Sequence, residues 1–129
     1  MDSHAETSGE EEKRKRVYDL AERTAAFGEA VIRFARSGPR SPVTDPLIRQ
    51  VVKSGTGVGA NYCEADEAGS RKEFKYRISV CKREAGEAKY WLRMIVAAHP
   101  PAKGGAAPLW KEADELQRIF ATIHRNTRA

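Results

Sequence analysis

The sequence predicts an all-α protein: an antiparallel, up-and-down four-helix bundle with helices over about residues 16-36, 46-66, 70-98 and 109-125. Three observations predict it. Apolar residues recur at alternating steps of three and four along four separate segments, a spacing that keeps them on one face only if the backbone is helical. Stretches rich in proline, glycine and serine separate the segments, and no alternating apolar–polar run of strand length occurs. The composition, 40% hydrophobic and 32% charged over 129 residues, suits one soluble helical domain with a single modest core.

Residues 1-15 read as a tail, acidic and then basic, ahead of a single domain over 16-126. Low hydrophobicity predicts disorder in the tail. Its opening, MDSHAETSGEEE, is polar and acidic, unlike a signal peptide. The first helix carries Val17, Leu20, Thr24, Phe27, Val31 and Phe34 on its seam and stops at Ser37, Gly38 and Pro39. Asp45 is the expected N-cap of the second helix, with Pro46 at its first position. That helix repeats Ile48, Val51, Val52, Gly55, Val58 and Tyr62 at helical spacing. Its Gly55, Gly57 and Gly59 follow neither the dinucleotide-binding spacing after a strand nor the Lys-Ser/Thr pattern of a Walker loop. Each glycine costs a helix roughly 1 kcal/mol relative to alanine. Close approach of a second backbone at Gly55 and Gly59 is the expected compensation.

The third helix starts with a capping box, Ser70 and Glu73. Its seam is Phe74, Ile78, Cys81, Ala85, Ala88, Leu92 and Ile95, and at about 1.5 Å per residue it is roughly 40 Å long. A neighbouring stripe holds Glu73, Arg77, Val80, Glu84, Glu87, Trp91 and Met94, which reads as a mixed boundary against another helix or subunit with its acids paired. Residues 99–108 read as a loop. The fourth helix follows with Leu109, Ala113, Leu116, Phe120 and Ile123 on its seam.

The patterns S-x-x-x-V-G-A-N-x-x-E-A from Ser54, S-R-K-E-F from Ser70, and K-R-E-A-x-E-x-x-Y-W-L-R-M-I from Lys82 carry a resemblance. The chain resembles the four-helix-bundle protein family, also called the 23S rRNA intervening-sequence protein or S23-type family. The likeness covers roughly residues 16 to 98 and, more loosely, the last helix. It implies a small bacterial, cytoplasmic bundle that assembles as a homo-oligomer, often a ring-shaped pentamer, with no assigned biochemistry. It also implies a relation in fold to the accessory proteins of diversity-generating retroelements, which bind a reverse transcriptase and nucleic acid. Gly86 stands where the resemblance implies a longer residue such as arginine.

The residues point to interaction, not catalysis. The histidines are His4, His99 and His124, and no Glu-x-x-His pair of a di-metal bundle occurs. No nucleophile has a base nearby in the pattern. Catalytic residues, metal and cofactor are therefore expected to be absent. Cys63 and Cys81 read as free thiols, their axial offset across the 2-to-3 turn being roughly 9 Å. Asn61, Glu64, Glu84 and Glu87 are candidates for a structural polar network that fixes helix register or assembly. Tyr90, Trp91 and Met94 are candidates for an interface, with the intramolecular core as the other reading. The net charge is +5, and Asp2, Glu6, Glu10, Glu11 and Glu12 all lie in the tail, so the rest of the chain is more basic than the total. Lys13, Arg14, Lys15, Arg16, Arg71, Lys72, Lys75, Lys82 and Arg83 are candidate contacts for RNA or DNA backbone. Two functions stay open: an oligomeric scaffold for a protein partner, and a basic nucleic-acid-binding accessory protein. No apolar run spans a membrane.

Overall fold

The computed structural model describes the backbone of residues 3–129 and the side chains from residue 19 onward. Four helices fold in sequence: α1 (Ser3–Ser37), α2 (Thr44–Asp66), α3 (Arg71–Ala98) and α4 (Lys103–Asn126), with a short 3-10 turn at Pro100–Ala102. The described residues contain no strand. Helix α3 packs broadly against α2 on one side and α4 on the other, whereas α1 packs on α2 and only lightly on α4. The result is a four-helix bundle with one loosely closed edge.

The seams form the core. Phe27, Val31, Val51, Val58, Ile78, Cys81, Ala85, Leu92, Ile95, Leu116 and Phe120 are buried, and Phe34, Phe74 and Ile123 are half-buried at the ends. Val17 lies outside the residues whose side chains are described. Thr24 and Ser54 enter this core by returning their hydroxyls to their own helices. Thr24 Oγ1 donates to the Leu20 carbonyl at 2.7 Å and Ser54 Oγ to the Gln50 carbonyl at 3.0 Å, which removes the cost of burying an unpaired hydroxyl.

Three boundaries differ from the sequence expectation. Helix α1 is helical from Ser3 and not from residue 16. The segment between is rich in glutamate, lysine and arginine, all good helix formers, which continue a helix already started by the core-facing residues. The side chains of the tail, including Lys13, Arg14, Lys15 and Arg16, lie outside those described.

Helix α2 begins at Thr44, and Asp45 is not its N-cap. Ser41 does that work: its Oγ accepts from the backbone N–H of Thr44 at 3.0 Å and of Val43 at 3.2 Å. The Asp45 carboxylate instead reaches back to the Ser41 N–H and to Arg40. Pro46 falls in the first turn, where its missing N–H has no intrahelical role.

Helix α4 begins at Lys103, six residues before the expected start at 109. Gly104, Gly105 and Pro108 all disfavour helix locally. Burial overrides them: Ala106 and Leu109 are in the core, and Gly105 lies against the Phe34 ring, 3.3 Å from where its Cβ would stand. The third helix starts as expected. Ser70 Oγ accepts from the Glu73 N–H at 3.1 Å, and Glu73 Oε2 accepts from the Gly69 N–H at 3.0 Å.

Candidate nucleic-acid interface

The register between α3 and α4 decides where charge gathers. Gly86 of α3 lies beneath Gln117 of α4, whose Nε2 would be 2.5 Å from a Cβ at Gly86. Three residues further along α3, Lys89 Nζ donates to Asp114 Oδ1 at 2.7 Å and to Gln117 Oε1 at 3.2 Å, and it also stands 4.6 Å from the centre of the Trp110 ring. Arg118 holds the other oxygen of Asp114 at 3.1 Å. The Lys89 hydrogen bond, with Arg118 beside it, keeps the Asp114 carboxyl below its ordinary value.

This register sets the first half of α3 beside the last half of α4. Arg71, Lys72, Lys75, Lys82 and Arg83 come from one, and Arg118 and Arg125 from the other, with Arg128 just past its end. Glu73 is the only carboxylate side chain among residues 71–83 and 116–129. Arg71, Lys72, Lys82 and Arg83 are exposed and Lys75 is half-buried. Between the two helices lies a cleft of about 220 Å³ lined by Ser79, Lys82, Arg83, Gln117 and His124. Ser79, Gln117 and His124 did not stand out in the sequence, because nothing in either helix's own periodicity announces which residues the neighbouring helix brings alongside.

The proposed polar network divides. Asn61 of α2 and Arg77 of α3 meet: Arg77 Nη1 donates to Asn61 Oδ1 at 3.3 Å, while Asn61 Nδ2 donates to the Gly57 carbonyl at 2.8 Å. Arg77 Nε is buried without a hydrogen-bond partner. The Glu84 carboxylate lies over Gly57, its Oε2 standing 2.5 Å from where a Cβ would be. Glu64 and Glu87 are exposed in the single chain. Glycine thus makes room for side chains on both flanks of α3, at Gly57 for Glu84 and at Gly86 for Gln117. Gly55 and Gly59 face α1. A Cβ at Gly55 would stand 2.9 Å from both γ-carbons of Val31, and one at Gly59 would stand 3.3 Å from Thr24 Oγ1.

Burial, reinforced by Glu87 on the same helix, pushes the Glu84 carboxyl above its ordinary 4.5. An acid raised on folding contributes stability that is present at low pH and lost as pH rises through the raised value. Glu84→Gln is therefore expected to raise the melting temperature at and above neutral pH, and to leave it unchanged well below 4.5. A thermal melt series across pH checks this. An unchanged difference between the two proteins at every pH would refute it.

Tyr90 is 54% exposed and packs edge-on against half-buried Trp91, with ring centres 5.0 Å apart. Met94 is half-buried on the same helix. Burial pushes the Cys81 thiol up to about 12, so it is no thiolate at neutral pH. Cys63 is an exposed free thiol. Among the described residues, no group of three or more His, Cys, Asp or Glu could hold a metal, and no helix is long and apolar enough to cross a membrane.

Comparison with known proteins places the chain. The 23S rRNA-intervening sequence protein family matches residues 16–122. No curated protein is significantly similar in sequence. Among solved structures, a protein of unknown function from the S23 ribosomal protein family of Bacteroides thetaiotaomicron is similar in fold. The TM-score is 0.74 at 19% identity, with 85% of this chain and 98% of that one covered. The family match runs from the body of α1 through nearly all of α4, and the independent likeness in fold spans the same bundle. This chain belongs to the 23S rRNA-intervening sequence protein family.

Proposed function

We propose that the protein is a non-enzymatic, self-assembling interaction protein of the cytoplasm that holds the backbone of RNA or DNA on its basic α3–α4 end. The observation that carries this reading is the segregation of charge along α3. Glu73, Glu84 and Glu87 share the flank toward α2 with a single cation, Arg77, while Lys75, Lys82 and Lys89 share the flank toward α4. A surface charged only for solubility has no need to sort its signs this way. No base-reading motif stands out among the described residues, and the reading is one of phosphate contacts, which are independent of sequence and sensitive to salt.

Fluorescence anisotropy with labelled structured RNA and single-stranded DNA across a salt series tests it. Binding is expected at low salt, with log affinity falling linearly in log salt at about 0.7 to 0.9 per phosphate neutralised. No binding at low salt, also with residues 1–12 removed, would overturn the reading. Copies joined into a ring would repeat the basic face around it, so light scattering on the same preparation reads the assembly state.

A second reading, a scaffold for a protein partner, has its own support in Tyr90, Trp91 and Met94. Tyr and Trp are enriched in interface cores, and Tyr90 stands open while Trp91 holds it in place.

A further inference from the structure

We infer that the α3–α4 cleft at Ser79, Lys82, Arg83, Gln117 and His124 is a site for a phosphoryl group. This deepens the nucleic-acid reading above and rests on it only for the polymer, since the cleft's chemistry stands by itself.

Glycine at residue 86 leaves room for the Gln117 side chain, which lines the cleft. Any side chain there would occupy the space of the Gln117 amide, whose Nε2 is 2.5 Å from the Cβ position. Lys89 fixes which end of that amide is which. It donates to Gln117 Oε1 at 3.2 Å, so the carbonyl end is engaged and the NH₂ end is left as a donor at the surface of α3. Lys82 and Arg83 stand at the lip, exposed, and Arg83 also acts on the carboxylate of its neighbour Glu84, which does not line the cleft. His124 lies on α4 seven residues beyond Gln117, two turns along the same face, and is half-buried.

No carboxylate lines the cleft. Asp114, the nearest acid on this face of α4, is already held by Lys89 and Arg118. The site therefore offers an ammonium, a guanidinium fork, an amide NH₂ and an imidazole, with no carboxylate in its lining. Such a set suits the several acceptor oxygens of a phosphoryl group better than it suits a neutral ligand. At about 220 Å³ the cleft admits a phosphoryl group with its waters.

Two sources carry this chemistry, a nucleic-acid backbone and a free phosphorylated small molecule. The test uses the full chain, ¹⁵N-labelled, titrated separately with pyrophosphate and with single-stranded oligouridylate. It follows the Gln117 side-chain amide and the backbone amides of residues 79–86. Shifts at those positions with either probe are expected. Lys82→Ala combined with Arg83→Ala should weaken that probe about tenfold or more. Arg93→Ala, an exposed cation of the same helix outside the cleft, should change it less than about twofold.

Pyrophosphate shifting the cleft without oligouridylate binding supports the site, assigns it to a small molecule and removes the nucleic-acid reading. Oligouridylate bound with no shift at the cleft, and no loss in the double variant, overturns the site and leaves the nucleic-acid reading standing. No response at the cleft to either probe overturns the site.

Discussion

Phe120→Ala is expected to cost about 3–5 kcal/mol of folding stability. The ring is fully buried at the centre of the α4 seam, and its centroid is 5.9 Å from that of Tyr62 in a tilted contact. Removing it takes away the apolar area of a whole aromatic ring and leaves a cavity whose walls belong to separate helices. Those walls cannot close without shifting the helices past each other, so the cavity term adds to the transfer term. Urea unfolding followed by circular dichroism measures the loss, with Phe120→Leu as the partner variant that restores most of the volume and should cost markedly less. A loss under about 1 kcal/mol for alanine would mean that Phe120 is not packed as described.

The second large effect sits where α1 crosses α2. A Cβ at Gly55 would stand 2.9 Å from both γ-carbons of Val31, and Val31 is itself fully buried. Nothing at the contact can yield cheaply. Gly55→Leu is expected to cost about 3 kcal/mol or more through overpacking. Gly55→Ala should still destabilise, because the clash outweighs the roughly 1 kcal/mol that alanine contributes to a helix over glycine.

The contrast with other glycines makes the argument testable in one series. Gly104 has nothing within 4 Å of its Cβ position, so Gly104→Ala should stabilise by up to about 1 kcal/mol. Gly57→Ala meets only the end of the Glu84 side chain, which can swing aside, and should fall between the two. The same urea titrations rank the series, and a Gly55→Ala more stable than the parent would refute the close contact.

Much of the bundle can be read from residues alone, and the reason is local. Ile78, Cys81, Ala85, Ala88, Leu92 and Ile95 sit on a seven-residue repeat that has one physical solution, and each is buried. Ser70 and Glu73 announce the start of α3 within four residues of chain and make the bonds that the pattern requires. The start of α4 is hidden because Gly104, Gly105 and Pro108 vote against helix locally, while the votes for it come from Phe34, far away in α1. Asp45 misleads for a related reason. Both it and Ser41 are good caps, and only the path of the loop decides that Ser41 faces the free N–H groups.

The site is legible in kind and illegible in place. Lys82 and Arg83 identify themselves by charge. Gln117 and His124 acquire a role only through the antiparallel register that lays Gln117 over Gly86, and no periodicity within one helix encodes that register. Gly86, where the family resemblance implies a longer side chain, is in the structure the space that the Gln117 side chain of another helix uses.

The light contact between α1 and α4 has a consequence for cooperativity. Helices α2, α3 and α4 form a continuous stack through α3, and α1 lies along one side of it, packed on α2 and, among the described residues, held to α4 by Arg23 on Glu112 at 2.7 Å and by Phe34 against Gly105. In the language of hydrogen exchange, α1 is the foldon whose release breaks the fewest tertiary contacts. In a native-state hydrogen-exchange measurement, the α1 amides are expected to open before those of α3.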